Sequence, residues 1–195
     1  MSGIAVLILA AGRSARMRGG DKMFEQVQGQ PLLTCICARA AATGLDVLVT
    51  LPDLDHPRVG LIDAAKPVPV PDASEGMSAS IRRGVAALPD ATRAVMILPG
   101  DMPEVETSDL LSVAAAFDPD QENIARAAAA DGRPGHPVLF PKRLFPQLTR
   151  LHGDHGARSV LKSEPVTPVP LPGQRALVDL DTPEAWAHWR ASLDP

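Results

Sequence analysis

Apolar positions along the chain fall into short unbroken runs, and these alternate with segments whose apolar residues recur at helical spacing. Ile4 to Ala10 is apolar throughout and stops at Ala11 and Gly12, as a strand buried on both faces of a parallel sheet does. A polar loop follows, RSARMRGGDK. The next segment, PLLTCICARAAAT from Pro31 to Thr43, predicts a helix that opens on Pro and ends at Gly44. Asp46 to Leu51 (DVLVTL) reads as a second strand and Val68 to Val70 as a short third one. From Ser78 to Leu88, Ile81, Val85 and Leu88 form one helical stripe with Arg82 and Arg83 off it. Ala94 to Leu98 (AVMIL) is another buried strand, cut off by PGDMP, and Thr107 to Phe117 predicts a helix capped by Thr107 or Ser108.

This alternation, over about the first 120 residues, predicts a three-layer α/β fold around a mostly parallel central sheet. Beyond it the pattern changes. IARAAAA, the turn DGRPG and HPVLF predict two antiparallel strands, an excursion in the C-terminal half. Two short helical pieces follow, then ALVDLD as a strand and TPEAWAHWRASL as a terminal helix with Pro183 in its first turn. Without a linker, repeat or charge block, residues 1–195 read as one domain.

Composition narrows the chemistry. A net charge of -4 and 3% aromatic residues, with no Tyr, disfavour a nucleic-acid partner, which needs clustered cations and stacking rings. Any anionic ligand must be gripped locally. Cys35 and Cys37 lie two apart in a predicted helix, where such positions do not face each other, so they read as buried free thiols. The start MSGIAVLILAAGR has no basic segment, and its apolar run is far shorter than the roughly 20 residues of a membrane span. The expectation is a cytoplasmic protein without a membrane partner.

In open α/β sheets, ligands bind beyond the carboxyl ends of the strands. The loop after the first strand combines Gly12, Gly19 and Gly20 with Arg13, Arg16, Arg18 and Lys22, the makings of a phosphate cradle. It is neither a P-loop nor a dinucleotide fingerprint, because its glycines and Lys22 have the wrong spacing for both. The loop LPGDMPEV sets Asp101 directly after a buried strand, a posture suited to magnesium, which takes one or two carboxylates plus substrate phosphates. Asp179 and Asp181, two apart on the predicted strand, would share a face and offer a second carboxylate. Asp181 before TPE also reads as a helix cap. Lys22 and Asp101 are both read as exposed loop residues. Trp186 and Trp189 read as core packing, and His152 and His155 as exposed.

LAAGRSARMRGGDK with its downstream GQPLL resembles the signature of the MobA/MocA-like nucleotidyltransferases, which build dinucleotide forms of the molybdenum cofactor. ASEGMSASIRRGV, LPGDMPEV, GRPGHPVLF, GDHGAR and DLDTPEAW follow in that family's order, from about Ile4 to Trp186. Ala10, Ala11 and Gly12 are similar to the cytidylyl branch, where the guanylyl branch has LAGG, and a methyl at Ala11 gives that difference a steric basis against a purine. The long spacing from Met17 to Lys22 is shared with the guanylyl branch.

The resemblance implies a Rossmann-like nucleotidyltransferase sheet with a nucleotide-binding half over about residues 1–120 and an acceptor-binding half over 121–195. It implies transfer of CMP from CTP to the terminal phosphate of molybdopterin-bound molybdenum, with release of pyrophosphate. GTP in place of CTP is the alternative, and a non-catalytic cofactor carrier for a client molybdoenzyme is another. Arg16, Lys22 and Asp101 would be the catalytic residues. Leu9, Ala10, Ala11, Gly12, Arg13, Ser14 and Lys22 would meet the nucleotide, with Gly76, Met77, Ser78, Ser80, Pro99 and Gly100. Gly135, His136, Pro137, Gly153, Asp154, Gly156 and Arg158 would meet the acceptor. Magnesium, or manganese, would sit on Asp101 with Asp181 or Asp179. The attacking phosphate oxygen is already ionised near neutral pH, so catalysis rests on positioning and charge neutralisation.

Overall fold

A computed structural model of the chain describes residues 3–63 and 65–193. Met1 and Ser2, part of the chain start read above, lie outside the described residues, as do Ala64 and the last two residues of the 1–195 span. In chain order the elements begin with β1 (Ile4–Leu9), the two-residue strands β2 (Gln26–Val27) and β3 (Gln30–Pro31), α1 (Leu32–Ala41), β4 (Asp46–Leu51) and β5 (Lys66–Pro69). They continue with α2 (Met77–Ala86), β6 (Ala94–Pro99), α3 (Thr107–Ala115), β7 (Ile124–Ala128) and β8 (Pro134–Pro141). The chain then forms α4 (Phe145–Leu148), α5 (Arg158–Ser163), β9 (Val166–Pro170) and α6 (Pro183–Leu193).

Seven strands make the central sheet, in the order β5, β4, β1, β6, β8, β7, β9. Neighbours are parallel except where β8 runs against β6 and β7. The sheet is therefore the expected mostly parallel one, with its antiparallel excursion in the C-terminal half. The unbroken apolar run of β1 has the predicted cause: Ala5, Val6, Leu7 and Ile8 are each 0% exposed because both faces are covered. Val6 and Ile8 join the core under α1, α3 and α6, whereas Ala5 and Leu7 join the one under α2, α4 and α5. Trp186 and Trp189 meet edge to face in the first of these cores, with ring centroids 5.7 Å apart. Cys35 and Cys37 are buried free thiols, and burial pushes Cys37 up to about 12.

Three local expectations are corrected. Ala176 to Asp181 is not a strand but a run of turns and irregular chain. The sheet edge is taken instead by β9, whose sequence VTPVP did not read as a strand. Pro168 and Pro170 cannot donate to a ladder on both sides, and β9 pairs only with β7, the position where a sheet tolerates them. The cap of α3 is neither Thr107 nor Ser108: Glu106 and Asp109 form a reciprocal capping box, while the Thr107 hydroxyl donates to the Arg39 carbonyl at 2.9 Å. Within the polar stretch after β1, β2 and β3 form a small hairpin whose loop residues Gln28 and Gly29 have φ of 52° and 80°.

Helix α2 lies close on β1 because it carries Gly84: a Cβ there would stand 2.4 Å from both methyls of Leu7, which is itself fully buried. Gly84→Ala is expected to destabilise by about 1–3 kcal/mol through overpacking. Thermal unfolding checks this, at about 2–4 °C per kcal/mol for a chain of this size; an unchanged Tm would mean that α2 retreats freely.

Candidate functional site

At the carboxyl ends of β1 and β6 the structure opens a cleft of about 480 Å³. One wall is the end of β1 and the loop after it: Leu9, Ala10, Ala11, Gly12, Arg13 and Arg16. Gly76, Met77 and Ser80 at the start of α2 form the opposite wall, and Lys22, Pro99 and Asp101 the base. Three residues expected here stand back from the cleft. Ser14 supports the loop from behind, and Gly100 donates its N–H to the Leu9 carbonyl at 2.9 Å. Ser78 is fully buried, with no partner for its hydroxyl among the described residues. Ala11 is 1% exposed and packs against Val70 and Ala79, so its methyl serves the wall as well as bordering the cleft.

The loop's path is fixed by a residue that sequence reasoning missed. Arg58, 2% exposed, follows Pro57 in the short helical turn Pro57–Leu61 between β4 and β5. Its guanidinium clasps Asp21 in a two-pronged ion pair, Nε to Oδ2 and Nη2 to Oδ1, both at 2.7 Å. It also donates to the Ala10 carbonyl and, at 3.3 Å, to the Ser14 hydroxyl. Ser14 is held at φ 50°, a left-handed conformation that costs a non-glycine residue about 1–2 kcal/mol, and its hydroxyl bonds to Asp21 and Arg58 offset that cost. Burial would raise the Asp21 carboxyl, but the bonds from Arg58 and from the Met23 N–H outweigh it and hold the pKa below its ordinary value. The one sequence signal for Arg58 was a solitary cation in DHPRVG, far from the glycine-rich loop in number.

At the base of the cleft, Lys22 Nζ lies 2.6 Å from Asp101 and 2.7 Å from Asp181. Both Lys22 and Asp101 have side chains only 14% exposed, so neither is the open loop residue expected from sequence. The reason is that Lys22 lies in the turn Lys22–Phe24, capped by the clamped Asp21, which tucks it under the loop. Burial would pull the ammonium down, but the charges and hydrogen bonds of Asp101 and Asp181 outweigh it and hold its pKa above the ordinary value. Arg16 also reaches Asp181, at 2.6 Å, from an exposed position. Asp181 arrives here without a strand: the Leu180 N–H donates to the Asp101 carbonyl at 3.2 Å and docks the segment. Asp179 stands near enough that partial burial and the charges of Asp101 and Asp181 push its pKa up. Among the described residues no group of three or more His, Cys, Asp or Glu is placed to hold a metal.

A smaller pocket of about 140 Å³ adjoins the cleft, and Met77 and Asp154 line both. His136 and Arg158 border it, joined by Arg126 of β7. The glycines expected on the acceptor side shape this region rather than line the pocket. A Cβ on Gly135 would lie 1.9 Å from the Ala176 carbonyl oxygen, which accepts from the His136 N–H at 2.9 Å. A Cβ on Gly76 would strike Asp154, so the Gly153–Gly156 turn closes directly over the start of α2. Pro137 follows His136 through a cis peptide, and His152 and His155 are exposed as expected.

Burial first, then the charge of Arg126, lowers His136 to about 4, with Asp101 opposing. Its imidazole is neutral at pH 7. Because the folded value lies below the ordinary 6.5, the unfolded chain binds a proton that the native one refuses between those values. Stability contributed above about pH 6.5 is therefore lost as pH falls towards 4. An NMR titration of the His136 ring should show a midpoint near 4, and a midpoint near 6.5 would contradict this burial. Arg58→Met should cost about 3–5 kcal/mol in denaturant unfolding, since it strands the Asp21 carboxylate. Arg58→Lys should recover only part, having no fork.

The chain matches the model of the MobA-like NTP transferase domain over residues 6–169. It is 27% identical over 198 residues to a probable molybdenum cofactor guanylyltransferase of Nostoc sp. (strain PCC 7120), covering 100% of this chain and 94% of that protein. Among solved structures it is similar to Rv0371c of Mycobacterium tuberculosis H37Rv, with 28% identity, a TM-score of 0.82 and coverage of 99% of this chain and 98% of that one. It is also similar to the complex of Rv0371c with manganese, with 26% identity, a TM-score of 0.78 and coverage of 98% of this chain and 100% of that one. The family match spans the glycine-rich loop, Lys22, Asp101 and both cavities, and the chain belongs to the MobA-like NTP transferase family.

Proposed function

We propose that the protein transfers CMP from CTP to the terminal phosphate of molybdenum cofactor, releasing pyrophosphate. The observation that carries the reading is the Lys22, Asp101 and Asp181 cluster at the base of a cleft walled by a glycine-rich, arginine-bearing loop. On this reading residues up to about 120 form the nucleotide half and residues 121–195 the acceptor half, within one domain. Leu9, Ala10, Ala11 and Gly12 with Gly76, Met77 and Ser80 receive the nucleoside. Arg13, Arg16 and Lys22 face the triphosphate and the departing pyrophosphate. An ionised oxygen of the acceptor phosphate attacks the α-phosphorus in line; a new P–O bond forms there as the bond to the β-phosphate oxygen breaks, and no general base is needed.

Asp101 and Asp181 suit a hard divalent cation, magnesium or manganese, because their carboxylates already converge on one positive centre, the Lys22 ammonium. Two carboxylates without a closed cage are what an ion bound mainly through water and phosphates requires. Such an ion supplies charge neutralisation along the triphosphate. Asp179 stands in reserve beside the pair. Neutral His136 offers a hydrogen bond to the acceptor without adding charge.

GTP is the second reading, favoured by the guanylyltransferase name of the Nostoc relative. The cleft volume admits either base, and Ala11, packed into its wall, is the residue on which the cytidine reading rests. No helix among the described residues is long and apolar enough to cross a membrane.

Pyrophosphate release with molybdenum cofactor, magnesium and each nucleotide in turn tests the reading. CTP should be the better substrate; turnover with GTP alone assigns guanylyl transfer, and turnover with neither removes the proposal. Lys22→Met and Asp101→Asn should each lower kcat about 10²–10³-fold, the usual cost of removing a group that stabilises developing charge.

A further inference from the structure

The acceptor side carries positive charge that no described carboxylate pairs. Arg126 lies in the middle of β7, opposite Val138 of β8, and its guanidinium makes one hydrogen bond among the described residues, from Nε to the Gly135 carbonyl at 3.0 Å. Arg126 and Arg158 both border the smaller pocket with His136, over a floor that includes Ile81, Ile97 and Phe140. Burial first, then the like charge of Arg158, lowers the pKa of Arg126. Other arginines with little exposed side chain are paired: Arg58 with Asp21, Arg82 with Asp72 and Glu75, Arg39 with Glu106.

A partly buried guanidinium without a described carboxylate partner, beside the like charge of exposed Arg158 at an apolar pocket, is unfavourable on its own, and a bound anion is what offsets it. His136 adds no third charge. Asp154 is the one carboxylate on the pocket wall and forms no ion pair with either arginine among the described residues. Because Met77 and Asp154 border both cavities, an anion held here lies next to the cleft that contains Lys22 and Asp101. Two guanidinium forks present more donors than a carboxylate can use and suit the three terminal oxygens of a phosphate monoester.

We propose that Arg126 and Arg158 form a phosphate-monoester subsite, gripping the terminal phosphate of the acceptor beside the nucleotide cleft. The assignment rests on the transferase reading for the identity of the acceptor, but the subsite can be read without it. It adds Arg126, a strand residue outside every recognisable motif.

Calorimetric titration of the full chain with inorganic phosphate and with phenyl phosphate is the test. Arg126→Met and Arg158→Met should each weaken both ligands about tenfold or more, the scale of one charged hydrogen bond, and Arg126→Lys should restore part of the loss. Arg13→Met, on the nucleotide side, should change phosphate binding less than about twofold, and nucleoside triphosphate binding should change as little in the Arg126 and Arg158 variants. Arg158 is exposed at the start of α5, so its variant reads the subsite even where Arg126→Met folds poorly. Unchanged phosphate binding in Arg158→Met, or equal loss in Arg13→Met, overturns the subsite and returns the anion to the nucleotide cleft. Loss in Arg126→Met and Arg158→Met alone, in a protein that turns over neither CTP nor GTP, upholds the subsite and removes the transferase reading.

Discussion

The Arg58 guanidinium ties Asp21, the Ser14 hydroxyl and the Ala10 carbonyl to one buried point, and the glycine-rich loop takes its path from those bonds. A loop that must approach a triphosphate has few apolar contacts of its own and would otherwise sample many conformations. Here the ordering force is electrostatic, and it comes from a turn between β4 and β5 rather than from the loop itself. Its reach extends further, because Asp21 caps the turn that carries Lys22. Fixing Asp21 therefore fixes where the Lys22 ammonium stands.

That ammonium meets carboxylates from two distant segments. Asp101 follows directly from β6, and Asp181 is brought in by the backbone bond from Leu180 to Asp101. Positive loop and negative base thus neutralise one another within the cleft. The smaller pocket is built differently, with two arginines and a neutral histidine around an apolar floor. The contrast suits the two ligands of the proposed transfer, a triphosphate that would bring its own cation and a phosphate that would need cations from the protein.

Much of the scaffold was legible in the chain. β1 and β6 are continuous apolar runs because a strand covered on both faces has no polar side, α2 announced itself by spacing, and α1 and α6 by spacing and by Pro31 and Pro183. β9 was hidden because Pro168 and Pro170 suit an edge and nothing else in a sheet. The segment ALVDLD failed in the opposite sense: its alternation fits a strand, but with the edge already filled it lies across β8, held by the Ala176 carbonyl and closed by Gly135.

The sequence by itself determined the layered α/β architecture and the chemistry gathered in the loops, since burial period, glycines and clustered charge are local properties of the chain. Tertiary structure alone decided which charges meet. Lys22 stands 79 positions from Asp101 and 159 from Asp181, and Arg58 stands 37 from Asp21. Arg126 and Arg158 come from a strand and a helix with no shared motif. Over a few ångströms in a partly dry site, a charge is governed by its neighbours in space, and those neighbours are set by how the sheet is ordered.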